Sequence, residues 1–172
     1  MSNARRDLLE SLLSLDNLTL LTAIGAGVMA GVFFTFSNFV MPALAKLPAD
    51  QGTAAMQSIN VEAINRWFMA ALFGTGAACA VLAVLSFRSL GDSRAFLRLG
   101  GATLYLLGAI VVTAAFNVPR NDALAAADPR AAETVALWGR YLGEWLRWNH
   151  VRTGTSLVSA IALSLAYGMR PG

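Results

Sequence analysis

Charged side chains are scarce in this sequence, and their scarcity indicates the class of protein. Asp, Glu, Lys and Arg make up 13% of the 172 residues, whereas hydrophobic residues make up 56%. Ordinary soluble domains carry about 25% charged residues, because a chain folded in water needs polar groups on its surface. The mean hydropathy is +0.57. The composition therefore excludes an ordinary soluble domain and predicts an integral membrane protein.

Cysteine and histidine are each present once, as Cys79 and His150. One cysteine excludes an intrachain disulfide and an iron–sulfur cluster, and one histidine excludes bis-histidine haem and a two-histidine iron site within one chain. The glycine-rich motif of nucleotide-binding proteins is also lacking. We therefore expect no cofactor and no metal. The 13 basic residues form no run, so we do not expect nucleic acid as a partner.

Four apolar segments are long enough to cross the hydrocarbon layer, which takes about 20 helical residues. These segments are residues 18–41, 67–87, 97–116 and 151–169. The last is the weakest, because Ser156, Ser159 and Ser164 interrupt it. These segments predict a single membrane domain over residues 1–172, an all-α bundle of four transmembrane helices.

The connections between these segments differ in length. Residues 88–96 form a tight turn, whereas 42–66 and 117–150 are long and would meet at the same end of an up-down-up-down bundle. The long connections predict loop helices at 51–65 and 129–149, the second after the start signal Asp128-Pro129. Aromatic residues follow at helical spacing in it and predict a lid over the bundle mouth: Trp138, Tyr141, Trp145 and Trp148.

Polar side chains collect where the spans meet the long connections, and they predict a shared polar pocket. The segments concerned contribute Asn38; Asn65 and Arg66; Asn117 and Asp122; and Asn149, His150 and Arg152. Other interpretations stay open. Glu62 with Arg66, and Arg140 with Glu144, have the spacing of surface ion pairs, and tryptophans often anchor helices at the membrane surface.

Four stretches resemble the anthrone oxygenase-like (DUF1772) membrane proteins. They are FFTFSNFVMPAL, INVEAINRWF, FNVPRND and WLRWNHVRT, and the resemblance extends over residues 18–168. It implies four membrane spans. It also implies oxidation of polyketide anthrones to anthraquinones by molecular oxygen without a recognised cofactor, although many bacterial members have no assigned substrate.

The resemblance suggests roles for the polar residues in a monooxygenase. His150 would remove a proton from the anthrone, and the resulting oxyanion would accept hydrogen bonds from Arg152, Arg66, Asn149 and Asn117. Trp145 and Trp148 would stack on the ring. The remaining expected ligand-binding residues are Tyr141, Asn65, Asn38 and Asp122.

This assignment has a geometric condition. On a regular helix His150 and Arg152 point about 200° apart, so both reach one pocket only if the chain bends near Asn149. Two other functions stay open, namely a non-catalytic binder of a lipid or quinone and an accessory subunit of a membrane complex. We expect a bacterial inner-membrane location, and the candidate partners are membrane lipid, a small aromatic or polyketide-like substrate and a second copy of the chain.

Overall fold

The computed structural model describes residues 14–169, which are helical and contain no β-strand. We number the helices in chain order. They are α1 (Leu15–Leu44), α2 (Ala49–Glu62), α3 (Arg66–Phe87), α4 (Ala95–Ala125) and α5 (Ala132–Gly168). The long helices α1, α3, α4 and α5 pack side by side, and the short helix α2 lies against the amino-terminal half of α5 and the end of α4.

Three of these helices, α1, α3 and α4, are long and apolar enough to cross a membrane. The chain is therefore an integral membrane protein. Among the described residues α5 does not meet the same hydropathy criterion, because Arg152 and several hydroxyl side chains lie in its carboxyl-terminal half. The count of four spanning helices is thus not established by hydropathy.

Helices α1 and α4 each widen into π-helix towards the same end of the molecule. The π segments are Phe36–Val40 in α1, and Leu106–Val111 and Thr113–Asn117 in α4. Two of them end two residues before a proline, Pro42 or Pro119. A proline cannot donate to the carbonyl four residues earlier and its ring collides with that group, so a local change of helix pitch relieves the conflict.

Helix α5 is one continuous helix of 37 residues. It replaces the loop helix expected at 129–149 and the span expected at 151–169, and it lacks the bend near Asn149 that would bring both His150 and Arg152 to one pocket. Its first half supplies Trp138, Tyr141 and Trp145 to a buried core, together with Met56 of α2. The aromatic face therefore packs over the bundle end, except for Trp148, which is only partly buried.

The two long connections lie at one end of the molecule, as expected. Asp50 of α2 and Asp128 line the same surface pocket. Gln57 of α2 donates hydrogen bonds to the carbonyls of Leu124 and Ala127, at 2.8 and 2.9 Å. These contacts fix α2 as a cover beside the end of α4.

Four charged side chains tie the opposite end together. Arg98 is 0% exposed, and it contacts Asp16 of α1 at 2.7 Å and Asp92 of the α3–α4 turn at 3.0 Å. Arg94 contacts the same carboxylates at 2.9 and 3.2 Å. A buried guanidinium is costly unless partners replace its water, and here two carboxylates do so. The cluster therefore fixes the start of α1 against the start of α4.

We expect Asp92→Asn to lower the thermal unfolding midpoint in detergent at neutral pH, because Arg98 loses one of its two carboxylates. Hydrogen bonds from the Arg94 backbone N–H and side chain hold the pKa of Asp92 at about 2, below its ordinary value of about 3.9. A lowered pKa stabilises the fold above the unfolded value and loses this effect as pH falls through the folded value. The difference between wild type and variant should therefore disappear between about pH 4 and pH 2.

The matched control is Asp50→Asn, because Asp50 is exposed and forms no ion pair with other residues in the range 14–169. It should leave the midpoint nearly unchanged at every pH. An equal loss of the unfolding midpoint in both variants, or a loss in Asp92→Asn that persists at pH 2, would contradict the stabilising role of the Asp92 carboxylate beside Arg98.

Candidate functional site

A cavity of about 770 Å³ lies between α1, α3, α4 and α5, with α2 beside it. Its wall is mainly apolar, and two groups stand out among its polar side chains. Arg152, Asn149, Asn117 and Thr113 lie at the inner end, where all but Thr113 are almost fully buried. Glu62, Asn65 and Asp122 are exposed and lie at the outer edge. We call this second group the polar mouth.

Asn149 fixes the inner end of the cavity to α1. Its side-chain amide is 0% exposed and donates to the carbonyl of Phe33 and to the hydroxyl of Ser37, both at 2.7 Å. Ser37 lies in the π segment of α1, which offers its hydroxyl to α5. The side-chain oxygen of Asn149 then accepts a hydrogen bond from Arg152 at 2.6 Å. Asn149 is therefore a positioning residue between α1 and Arg152.

Arg152 is a buried cation without a carboxylate partner. It is 6% exposed. Its guanidinium donates to Asn149 and, at 3.2 Å, to the hydroxyl of Thr113. The rings of Phe33 and Trp145 lie 4.4 and 5.0 Å from its central carbon. None of the ion pairs formed within residues 14–169 includes Arg152, so neutral dipoles and aromatic faces surround the charge.

Three buried polar atoms of the cavity wall have no hydrogen-bond partner in the described part of the chain. They are the donors Arg152 Nε and Asn60 Nδ2 and the acceptor Asn117 Oδ1. Leaving a buried polar atom unsatisfied costs about 1–3 kcal/mol. The three atoms belong to side chains that line one cavity, where a ligand with hydrogen-bond acceptors and a donor would satisfy them once these side chains turn towards it.

Asn121, which our sequence analysis did not select, joins the cavity to the aromatic core. Its side-chain oxygen accepts hydrogen bonds from the Tyr141 hydroxyl at 2.8 Å and from the Trp145 indole at 2.9 Å. It follows Asn117 by one helical turn, and that spacing of asparagines was the available signal. Asn60 was not selected either, although it is one of the polar residues that lead into the second apolar segment.

Six of the predicted site residues line the cavity. Arg152, Asn149, Asn117 and Trp145 lie at the inner end, and Asn65 and Asp122 lie at the polar mouth. Asn65 also caps α3, where its side chain accepts from the N–H groups of Trp67 and Phe68. The structure therefore brings together about half of the predicted set.

The other five predicted residues lie outside the cavity lining. His150 is exposed, because α5 continues without a bend and turns residue 150 away from residues 149 and 152. Asn38 is exposed, Arg66 lies over the Trp67 ring at 5.0 Å, and Tyr141 is in the core behind Trp145. Trp148 stacks on Phe116 at 3.6 Å between centroids.

The expected surface ion pairs also differ from the observed one. Glu144 pairs with Arg120 of α4 at 2.8 Å, and not with Arg140. Arg120 also donates to the carbonyl of Phe116 at 2.7 Å, across the helix turn that contains Pro119. Pairing between α4 and α5 replaces pairing along α5, because the two helices lie side by side here.

A family model described as anthrone oxygenase matches residues 64–162, which is more than half of the chain. The chain belongs to the anthrone oxygenase family. The match runs from the end of the α2–α3 turn into the second half of α5, and it includes Asn117, Asn149 and Arg152. No curated protein and no solved structure matched the chain.

The family match leaves out α1 and α2, although both contribute to the cavity. Helix α1 supplies Phe33 and Ser37, which contact the inner polar residues, and α2 supplies Asn60. Residues 14–169 contain no group of three His, Cys, Asp or Glu side chains arranged to hold a metal ion.

We expect Asn149→Ala to destabilise this anthrone oxygenase family member by about 1–3 kcal/mol, because the Ser37 hydroxyl, the Phe33 carbonyl and the Arg152 guanidinium each lose a partner. Unfolding would be followed in detergent by circular dichroism. The neighbouring His150→Ala is the matched control, and as an exposed change it should stay within about 0.5 kcal/mol. A similar loss in the two variants would show that Asn149 does not connect α1 to Arg152.

Proposed function

We propose that this protein is a bacterial inner-membrane monooxygenase with four spanning helices. It would oxidise an anthrone-like phenolic polyketide to the anthraquinone, using molecular oxygen and no cofactor. The family match supports the general class, and the cavity around Arg152 supports the chemistry. The cavity volume of about 770 Å³ falls in the usual range for sites of drug-sized ligands, about 300–1,000 Å³.

The distribution of side chains on α5 supports it as the fourth span. Ser156 and Ser159 are fully buried against the other helices, so their hydroxyls do not face lipid. Large apolar side chains occupy the outer side of the same segment, among them Leu157, Ile161 and Leu165. A helix that buries its polar side and exposes its apolar side suits a bilayer, even where its average hydropathy is modest.

The observation that carries the proposal is the unpaired cation Arg152. A buried charge without a counterion is costly, and an anionic ligand oxygen beside it would offset that cost. An anthrone becomes an enolate when it loses a proton, and the negative charge then lies largely on its oxygen. Arg152 Nε and Asn60 Nδ2 have free hydrogen-bonding capacity and would reach this oxygen after a rotation of their side chains, as Asn117 Oδ1 would reach a phenol hydroxyl. Such preorganised donors stabilise a developing oxyanion.

The reaction balances with oxygen as the sole co-substrate. Loss of a proton from the ring methylene gives the enolate, which adds oxygen at that carbon and takes up a proton to form a hydroperoxide. Loss of the second methylene hydrogen as a proton, with cleavage of the O–O bond, gives the ketone and water. The proton acceptor would be a carboxylate of the polar mouth, Glu62 or Asp122, since His150 lies outside the cavity.

A non-catalytic binder of a quinone or lipid is the second candidate. It is favoured by one observation: the inner residues that line the cavity within the described range include no carboxylate and no histidine, and both lining carboxylates are exposed. A binder needs the apolar wall, Arg152 and the unsatisfied polar atoms, but no group that takes a proton.

We expect the purified protein to accelerate oxygen uptake by an anthrone above the spontaneous rate. Arg152→Met should lower the accelerated rate by about 10²-fold or more, because the oxyanion loses its cation. Arg152→Lys should restore part of it, since the charge is kept. The control His150→Ala should retain the wild-type rate. Binding of the anthraquinone without any acceleration of oxygen uptake would favour the binder.

We expect one of two variants, Asp122→Asn or Glu62→Gln, to lose the acceleration while the other retains it. Positioned proton transfer contributes about 10²–10⁴-fold, so the loss should fall in this range with ligand affinity nearly unchanged. Oxygen electrode traces and titration with the anthraquinone would measure the two quantities. Retention of the full rate in the double variant would mean that neither carboxylate takes the proton.

A further inference from the structure

Beside the polar mouth the cavity has an apolar edge at membrane depth, where Met69 and Val118 lie one helical turn from Asn65 and Asp122. Helix α3 spans 22 residues, or about 33 Å at 1.5 Å per residue. Phe73 lies seven residues after its first residue, which is about 10 Å along the helix. Phe73 lines the cavity and is also 54% exposed. A side chain that is both cavity wall and outer surface at this depth lies beside an opening in the helix bundle.

The opening lies between α3 and α4. Met69, Phe73 and Gly76 follow the spacing i, i+4, i+7, so they share one side of α3. Gly76 is packed against α4 so closely that an added Cβ would lie 3.1 Å from the Ile110 side chain. From this contact towards the α3–α4 turn, the two helices pack together. From this contact towards the first residue of α3, Met69 and Phe73 of α3 and the exposed Val118 of α4 line the cavity.

We infer that the cavity exchanges its ligand with the bilayer through this opening, which we call the lipid portal and define by Met69, Phe73 and Val118. The inference deepens the proposed binding site and rests on it for the identity of the ligand. The ligand would be an amphiphile dissolved in lipid, with oxygen atoms on a ring at one end. Its oxygens would enter first, towards the unsatisfied atoms of Arg152, Asn60 and Asn117, and its apolar part would remain near the portal.

The distribution of polar groups favours this direction over entry from water. The polar mouth carries the carboxylates Glu62 and Asp122, which are strongly hydrated and repel an anionic oxygen. The lipid portal has no charged side chain among its three defining residues. An apolar ring system already dissolved in lipid would have to leave the bilayer to use the polar mouth, whereas the lipid portal keeps it in apolar surroundings throughout.

The test measures rates, because the route of entry affects rates and not the binding equilibrium. In a Cys79→Ala background, Leu72→Cys places a reporter thiol inside the cavity, since Leu72 lines it and is 2% exposed. The protein would be reconstituted in phosphatidylcholine nanodiscs and exposed to N-pyrenylmaleimide, a reagent that dissolves in the bilayer. Thr113→Cys is the second reporter position, in case Leu72→Cys does not fold.

Val118→Trp narrows the lipid portal and should slow labelling by about tenfold or more, which corresponds to a barrier higher by about 1.4 kcal/mol. The matched control is Val111→Trp, which makes the same change on α4 at an exposed position outside the cavity lining. Glu62→Trp narrows the polar mouth instead. Both should label at the wild-type rate. Met69→Trp repeats the narrowing from α3 if Val118→Trp fails to fold.

Three results would overturn the inference. The first is an unchanged rate in folded Val118→Trp and Met69→Trp, and the second is slow labelling in Glu62→Trp alone, which would mean entry from water. The third is a reporter that resists the reagent in nanodiscs but reacts fully after denaturation in dodecyl sulfate. None of these measurements depends on oxygenase activity, so a protein that fails to consume oxygen can still confirm the lipid portal.

Discussion

The buried guanidinium of Arg152 is the constraint on which the surrounding structure depends. A cation held at the edge of a membrane domain without a carboxylate is stable only if dipoles and aromatic faces replace its water. Asn149 and Thr113 accept its hydrogen bonds, and Phe33 and Trp145 cover it. The residues that surround Arg152 must themselves be held in place by contacts with other helices.

Those requirements explain several unusual features of the helices. Asn149 is held by Ser37 and Phe33 of α1, at the start of the π segment. Thr113 is the first residue of a π segment in α4. Changes of helix pitch next to prolines thus bring polar groups of two helices to Arg152, and π segments are often found at functional sites for this reason. At the other end Arg98 shows the contrasting solution, in which two carboxylates neutralise the charge.

Much of this was predictable from the sequence, and the failures have physical reasons. Composition and apolar length predicted a helical membrane protein, and the crowding of asparagines near span ends predicted a polar pocket containing Asn117, Asn149 and Arg152. The continuity of α5 was not predictable, because polarity at residues 147–153 is equally typical of a helix end. That continuity turns His150 outwards. Asn60 and Asn121 were not selected, because the contacts that give them a role depend on how α2 and α4 pack, although the spacing of Asn121 from Asn117 was a signal for it.

The central claim is that Arg152 receives an oxygen atom of a ring-shaped ligand inside the cavity. A structure of the protein in lipid, determined in the presence of a hydroxyanthraquinone, tests it most directly. The account predicts a ligand oxygen within about 3 Å of Arg152 Nε, with the ring against Trp145 and its apolar edge towards Phe73. A ligand bound elsewhere on the protein, with Arg152 still donating hydrogen bonds only to Asn149 and Thr113, would contradict it.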